Sequence, residues 1–263
     1  MTVTELAWRL SAVQWDVLAE GFGVEGYPAP IQVRSSGRTW IERARIRAGA
    51  CVELTRLGLL RGGRVDADLE AALRLLHRPA SWVDSVWLAD MVADQPVRVV
   101  AAQDGGAGVC ALQHPDQPGA TLLTVIPATG LAAAVVSRLP VYPPGRDCAV
   151  TVPLLSSTRP QPARGLLVST PLVRTSAERD SAAAAAILDK PHARAGQIAA
   201  NVRDPSGRVR RSDVLRWCDN VDGRYQVTVD RRSGESASLT VGPADPQRMG
   251  DGVQRLLAAL QPR

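Results

Sequence analysis

Apolar positions near the N-terminus first alternate with polar ones and then follow helical spacing. Leu6, Trp8 and Leu10 occupy alternate positions, with the smaller Ala7 and the polar Arg9 between them, which predicts a short strand. Ser11 and Gln14 have the spacing of a capping box, so a helix is expected to begin there. Apolar residues at helical spacing predict three helices in this part of the chain, over 11–20, 40–57 and 66–78.

The helix expected over 40–57 has the clearest boundaries. Thr39 and Glu42 form a capping box at its start, and Gly58 stands where a C-terminal cap belongs. Its apolar residues lie along one stripe, which we expect to pack against the core. The stripe consists of Ile41, Ala44, Ala48, Cys51 and Val52, with Ile46 beside it.

From residue 82 the apolar period changes to two, which is typical of strands. The segments predicted as strands are 82–92, 97–103, 108–113 and 121–126. The sequence DGGAG at 104–108 leads into a strand rather than a helix, so it predicts a hairpin turn and not a phosphate-binding loop. A helix is expected over 129–138.

The same order of elements recurs near the C-terminus. Strands are predicted over 196–204, 208–219, 224–230 and 236–242, separated by turn-forming residues. A helix then follows Asp245, which suits an N-cap, with Pro246 at the first helical position. Leu-Thr-Val-x-Pro-Ala closes the last strand in both regions, at 123–128 and 239–244.

This repetition predicts the fold class. We expect an α+β protein with a central, mainly antiparallel sheet built from two pseudo-twofold-related ββββα halves, with additional N-terminal helices and a C-terminal helix. The halves are approximately 82–140 and 195–261, within a single domain spanning 1–263. Between them, the Pro/Ser/Thr/Arg-rich segment at about 153–180 predicts a flexible connection, although its end overlaps an alanine-rich helix expected over 177–190.

Composition excludes several classes of protein. Apolar residues make up 45% and charged residues 22%, as in ordinary globular proteins. No apolar run approaches the roughly 18 residues of a membrane span, and the N-terminus has no secretory-signal pattern, so no membrane insertion is expected. The four cysteines are scattered, which favours reduced thiols, and neither a metal site nor a cofactor is predicted.

The formal net charge of +5 raises the alternative of nucleic-acid binding. The densest basic run is 203–216, but Asp204 and Asp213 interrupt it and only Trp217 adjoins it. Nucleic-acid grooves usually interleave aromatic residues with basic ones. A solvated hairpin is therefore favoured over a phosphate-binding strip, and the alternative stays open.

The sequence contains no motif that requires catalysis. It lacks a nucleophile elbow, a zinc-protease motif and a phosphate-binding loop. His114 and His192 lie on predicted turns, and a hydrolase built around either of them is the less favoured alternative.

Ile198, Ala200 and Val202 share one side of a predicted strand and are apolar or small. If this side stays open, it offers a landing surface for another chain. The alternative is that these residues pack under the helix expected over 40–57. Exposed strand edges are compatible with a monomer or a weak homodimer.

Several motifs, in order, resemble the EspG family of type VII (ESX) secretion chaperones. The resemblance covers most of the chain and loses definition at 146–195. One departure is Asn220, which stands where a Trp-x-Asp-Thr pattern beginning at Trp217 would have Thr. The motifs are TWIERARIRAGACVELTRLGL with Thr39, Glu42, Arg43, Leu54 and Gly58-Leu59; VDADLEAALRLLHRP; VIPATGLAAAVVSRLP with Pro127 and Leu139-Pro140; Pro143-Pro144-Gly145; GQIAANVRDPSGRVRR; WCDNVDGRYQV with Trp217, Asp219, Gly223, Arg224 and Tyr225; and LTVGPADPQRM.

The resemblance implies a cytosolic protein without catalytic activity. Members are similar to holdase chaperones that bind PE–PPE heterodimers at the tip of the PPE helical bundle and keep them soluble before export. The resemblance also implies a mixed α/β fold and a partner surface on the central sheet and C-terminal helical region. Carried over to this chain, it predicts contacts at strand 196–204 and the loop 104–107. The candidate partner-binding residues are Arg98 and Arg203 as a polar rim, Gly105 and Gly106 in the loop, and Ile198, Ala200 and Val202 on the strand.

Overall fold

The computed structural model describes residues 6–24, 26–92, 95–153, 175–231 and 237–261. Its helices are α1 (Ala12–Gly21), α2 (Trp40–Arg56), α3 (Ala67–His77), α4 (Leu131–Val136), α5 (Ser176–Leu188) and α6 (Pro246–Ala258), with a 3-10 turn at Ala128–Gly130 before α4. Its strands are β1 (Ala7–Ser11), β2 (Leu60–Arg61), β3 (Arg64–Val65), β4 (Ser81–Leu88), β5 (Pro96–Asp104), β6 (Ala107–Gln113), β7 (Ala120–Pro127), β8 (Val150–Pro153), β9 (His192–Arg203), β10 (Val209–Arg211), β11 (Leu215–Asn220), β12 (Gly223–Asp230) and β13 (Ser238–Pro243).

One large antiparallel sheet organises the molecule. Its strands follow the order β1-β7-β6-β5-β4-β9-β11-β12-β13-β8, and β10 pairs with β9 beside this path. The strands β2 and β3 form a separate hairpin. The predicted α+β fold with a central antiparallel sheet, N-terminal helices and a C-terminal helix is confirmed.

The sheet consists of two runs of strands that meet at β4 and β9. These two strands pair along their whole shared length, from Ser81 opposite Val202 to Leu88 opposite Ala195. On each side of the seam the chain moves outward strand by strand and ends in a helix, α4 or α6. The single domain, its boundaries and the rotational relation between its halves stay predictions.

Helices cover both faces of the sheet. On one face, α4 and α6 pack over the apolar residues of β4, β5, β9 and β11 to form the largest core cluster. On the other, α1, α2 and α3 close a core over β5, β6 and β7, and α5 covers β12 and β13. Because neighbouring residues in a strand point to opposite faces, Trp217 lies in the first core and Cys218 under α5.

The predicted orientation of α2 is wrong. Ala50 and Leu54 are its buried residues, whereas the side chains of Ile41 and Val52, expected in the core, face solvent. The physical reason lies in charge pairing, since Arg43 on the inward face forms ion pairs with Asp16 and Glu20 of α1. Satisfying these partly buried charges turns the charged flank of α2 inward and the expected apolar stripe outward.

Two predicted boundaries in the second half of the chain also change. The strand expected over 208–219 is divided into β10 and β11, because the Ser212 hydroxyl accepts a hydrogen bond from the Ala200 amide at 3.0 Å and holds a bend between them. Most of the segment expected to be flexible, 154–174, lies outside the described residues. At its end the alanine-rich helix expected over 177–190 is present as α5, which begins at Ser176 with Thr175 as its N-cap.

Candidate partner-binding surface

A buried ion pair joins β11 to β12. The Arg224 guanidinium donates from Nε to Asp219 Oδ1 at 2.7 Å and from Nη2 to Asp219 Oδ2 at 2.9 Å. The two side chains are 4% and 0% exposed, so almost no water screens the pair. The guanidinium also lies 4.7 Å from the centre of the Trp217 ring and donates to the Pro140 carbonyl at 2.9 Å. Arg224 therefore fixes the loop after α4 to the sheet.

The Pro143-Pro144-Gly145 segment continues this attachment through backbone hydrogen bonds. The Arg224 amide donates to the Pro143 carbonyl at 2.7 Å, and the Gly145 amide donates to the Arg224 carbonyl at 2.8 Å. A Cβ on Gly145 would lie 2.2 Å from Cζ of Tyr225. Gly223 has a φ of 124°, and a Cβ there would lie 2.4 Å from the Pro144 carbonyl oxygen. Both glycines are required because the two segments approach too closely for any side chain.

Beyond Gly145, a polar network anchors the next stretch of chain. The Tyr225 hydroxyl donates to Asp147 Oδ2 at 2.7 Å and accepts the backbone amide of Arg146 at 3.1 Å. Burial, followed by the hydrogen bond to the Asp147 carboxylate, raises the pKa of Tyr225. Lys190 forms an ion pair with Asp222, and this hydrogen bond raises the pKa of its ammonium group. The tyrosine and the lysine therefore keep their protons and hold this side of the surface in place.

An apolar groove opens between α4 and α6 above the ion pair; we call it the α4–α6 groove. It encloses a cavity of about 680 Å³. Small side chains keep it open, and apart from the backbone of its own helix, Gly250 has no atom within 4 Å of the position that a Cβ would take. Val141 at its edge is fully exposed. The lining residues are Ala132, Ala133, Val136, Ser137, Leu139, Pro140, Val141, Tyr142, Arg224, Pro246, Gln247, Gly250, Asp251 and Gln254.

The chemistry of the groove suits recognition of apolar side chains. Apolar atoms dominate its walls, while Gln247, Asp251 and Gln254 of α6 form a polar rim on one side. The Arg224 charge at its base is already neutralised by Asp219. An exposed valine beside an apolar cavity with a polar rim is the usual anatomy of a protein-binding surface.

The structure brings four of the predicted partner-binding residues to one end of the sheet. Gly105 and Gly106 form the exposed turn between β5 and β6, and Gly105 takes a left-handed φ of 55°. Val202 and Arg203 end β9 nearby, where the Arg203 amide donates to the Ala80 carbonyl at 2.8 Å. The predicted hairpin at DGGAG is confirmed.

Ile198 and Ala200 do not lie on an open surface. Both are fully buried in the core cluster that α4 and α6 cover, so a partner cannot reach them in this structure. The expectation of an open apolar side on this strand is therefore wrong. The alternative that these residues pack in the core under a helix is correct, but the covering helices are α4 and α6, because α2 lies over the opposite face.

Arg98 lies at the other end of the sheet from the Gly105 turn. It is half-buried, and its guanidinium donates to the Pro96 carbonyl at 3.4 Å. It lines a groove together with Arg34 and His114. The structure therefore does not bring Arg98 together with the other predicted residues.

The arginines of the basic run 203–216 are largely used within the molecule. The guanidinium of Arg203 lies 5.7 Å from the centre of the Trp82 ring. Arg210 donates to the Leu260 carbonyl, and Arg211 forms a bidentate ion pair with Asp84. These contacts favour the predicted hairpin over a free phosphate-binding strip.

The groove beside His114 does not contain a hydrolytic arrangement of side chains. The ring of His114 accepts the Asp116 amide at 3.2 Å, and the groove beside it has no serine, threonine or cysteine in its lining. His192 begins β9, on a strand instead of the expected turn. Across the described ranges, no three or more His, Cys, Asp or Glu side chains are grouped to hold a metal ion. None of the helices in these ranges is long and apolar enough to cross a membrane.

Sequence reasoning missed the residues that line the α4–α6 groove. The signal was present, because Leu139-Pro140, Pro143-Pro144-Gly145 and the segment around Arg224 were the motifs behind the family resemblance. Their spacing in sequence does not reveal that they meet. Pairing of β12 with β11 and of Pro144 with Arg224 brings them together at the base of the groove.

Comparisons with known proteins agree with this architecture. A model of the EspG family matches residues 11–255. The structure is similar to that of the Mycobacterium tuberculosis type VII secretion system chaperone EspG5, solved in complex with a PE25–PPE41 dimer. The two chains superpose with a TM-score of 0.69 at 18% sequence identity, over 97% of each chain. No curated protein matches the sequence significantly.

Proposed function

Because the chain belongs to the EspG family, we propose that it is a type VII secretion chaperone that binds a PE–PPE heterodimer. It holds the heterodimer in solution in the cytosol and hands it to an ESX system for export. Binding and release need no bond-making step, so the proposed function is not enzymatic. The observation that supports this proposal best is the α4–α6 groove, an apolar cavity beside a fully exposed valine.

The proposed site for the tip of the PPE helical bundle is the α4–α6 groove. An apolar side chain from the tip would occupy the space above Gly250, where only the helix's own backbone lies within 4 Å of a Cβ position. A glycine inside a helix costs up to about 1 kcal/mol relative to alanine. Packing within the chain does not explain a glycine at position 250, whereas close approach of a partner does.

The energetics fit a complex that must later dissociate. Burying about 400 Å² of apolar surface contributes roughly 10 kcal/mol, against an association cost of about 4–15 kcal/mol. The groove alone therefore gives modest affinity, and the polar rim of Gln247, Asp251 and Gln254 adds selectivity more than strength. We include the end of the sheet at Gly105, Gly106 and Arg203 as a second, polar contact.

The proposal is tested by producing the chain together with each PE–PPE pair encoded beside its gene. The expected result is co-elution of one pair with the chain by size exclusion. Val141→Glu puts a charge on the edge of the groove. Gly250→Leu fills the cavity, because the space around this position of α6 is open. Both variants should abolish co-elution. Val92→Glu is the matched control, because this valine is also exposed, at 92%, but does not line the groove.

Two outcomes would contradict the proposal at different levels. If every neighbouring pair elutes apart from the wild-type chain, the function is wrong. If a pair co-elutes equally well with both groove variants, the function stands and the assignment of the groove is wrong. Circular dichroism of each variant checks that the fold is kept.

A further inference from the structure

The outward face of α2 is an unusual surface for a helix that is firmly held in place. Its inward face is anchored by Leu54, which is 1% exposed, and by the Arg43 ion pairs to α1. On the outward face Ile41 and Val52 are 68% and 66% exposed. Two apolar β-branched side chains therefore stand in solvent on a rigid support.

The exposed residues of this face form two parallel rows with symmetric spacing. Each row has a central residue and two residues on either side, four and seven positions away. The apolar row is centred on Ala48 and consists of Ile41, Ala44, Ala48, Val52 and Thr55, whose hydroxyl donates to the Cys51 carbonyl of the same helix. The charged row is centred on Gly49 and consists of Glu42, Arg45, Gly49, Glu53 and Arg56. All ten residues are exposed.

We propose that α2 is a self-association surface, on which α2 of a second copy of this chain packs antiparallel. A twofold axis beside Ala48 and Gly49 places Glu42 opposite Arg56 of the second copy, and Arg45 opposite its Glu53. Each of these ion pairs occurs twice. In a parallel arrangement, the charged row of one helix would instead lie against the apolar row of the other, and none of these ion pairs would form. The charge pattern therefore selects both the partner and its orientation.

The centre of the helix allows the close approach that this pairing needs. Ala48 is small, and apart from the helix backbone Gly49 has no atom of its own chain within 4 Å of a Cβ position. Helices with small residues at the crossing point approach within about 8 Å. The apolar row then pairs Ile41 with Thr55 and Ala44 with Val52 of the second copy, which removes the exposed β-branched side chains from water.

Existing contacts of these charges are compatible with the pairing. Arg56 donates to Glu53 Oε2 within the helix at 2.9 Å, and Glu42 caps the helix through one carboxylate oxygen, which accepts the Arg38 and Thr39 amides. Arg56 has further donors and Glu42 has a second oxygen for the cross-helix contact. Because these charged groups already have partners within the monomer, the ion pairs between the two helices determine the orientation of the dimer more than they increase its affinity.

The dimer is expected to be weak and reversible. A helix of 17 residues is about 26 Å long. One helix pair covers less surface than the roughly 800 Å² per partner of a standard interface. Because α2 and the α4–α6 groove lie on opposite faces of the sheet, self-association leaves the groove accessible, and the two interactions have separate tests.

The proposal is tested by analytical ultracentrifugation of the full chain from micromolar to millimolar concentration. The wild-type weight-average mass is expected to rise with concentration from monomer towards dimer. Arg45→Glu and Glu53→Arg each turn two attractive pairs into repulsive ones and should raise the dissociation constant by about tenfold or more. The double variant restores opposite charges and should return it to within a few-fold of wild type.

Arg179→Glu is the matched control, because Arg179 is an exposed arginine on α5. It should leave the dissociation constant unchanged. Far-ultraviolet circular dichroism confirms that each variant keeps its helices. A wild-type chain that stays monomeric up to millimolar concentration overturns the proposal. Dimers that are insensitive to the single reversals, or that the double variant fails to restore, also overturn it.

Discussion

The buried Arg224–Asp219 pair leads to a prediction about stability. Replacing Arg224 by Met keeps much of its length but removes both hydrogen bonds to Asp219, whose side chain is 0% exposed. A carboxylate is then left buried with Arg194 alone nearby, at 3.3 Å from Oδ2. The variant therefore loses free energy of unfolding mainly through the unpaired charge of Asp219, and to a lesser degree through lost packing on Trp217.

The structure sets the size of this effect. Breaking a buried ion pair from one side usually destabilises by about 3–5 kcal/mol. Arg194, which is 31% exposed, screens part of the remaining charge, so we expect about 3 kcal/mol. In a chain of this size that corresponds to a fall in Tm of roughly 6–12 °C. Adding Asp219→Asn removes the charge itself, so the double variant should regain more than half of the loss.

Urea unfolding, followed by circular dichroism, measures these differences. Arg216→Met is the control, because Arg216 is an exposed arginine of the same strand pair and should change stability by less than about 0.5 kcal/mol. A free energy of unfolding for Arg224→Met within about 1 kcal/mol of this control would contradict a large cost of leaving the Asp219 charge unpaired. A double variant that is less stable than Arg224→Met would also contradict it.

Two further predictions concern ionisable groups. Cys148 is exposed and should be alkylated by iodoacetamide at pH 8. Cys218 should react only after unfolding, because burial and then the Asp219 charge raise its pKa to about 11. Peptide mass spectrometry distinguishes the two cysteines, and alkylation of Cys218 in the native protein would contradict this prediction. The hydrogen bond from Arg43 lowers the pKa of Glu20, so its contribution to stability is present above the pKa of an unfolded-chain glutamate and is lost as the pH falls through the lower folded value. Urea midpoints should therefore fall less between pH 6 and pH 3 in Glu20→Gln than in the wild type, and an equal fall in both would refute this.

Local chemistry explains which parts of the fold were predictable from sequence. Ser11, Thr39, Asp66 and Asp245 were each expected to begin a helix, and each side chain accepts a hydrogen bond from the first turn. Capping involves atoms only three residues apart, so the sequence alone contains the needed information. The strands from 82 to 126 were also readable, because both faces of that region are covered and each strand is a short apolar run bounded by turn residues.

Long-range contacts explain the failures. The buried face of α2 depends on Arg43 meeting Asp16, 27 residues away, and hydrophobicity alone selects the opposite face. The strand β8 has four residues and pairs with β13 at the edge of the sheet, so no local pattern marks it. The α4–α6 groove needs two segments about 80 residues apart, joined through Arg224 and Pro140, whose hydrogen bond spans 84 positions.

The seam between β4 and β9 has a consequence for biosynthesis. β4 leaves the ribosome with one neighbour, β5, following at once, while its other edge must wait for a strand that begins more than a hundred residues later. At synthesis rates of about 5–20 residues per second, that edge stays open for roughly 5–20 seconds. During this interval the nascent chain exposes the kind of unpaired strand on which other chains aggregate. A protein proposed to shield others from association therefore passes through a stage in which it needs shielding itself.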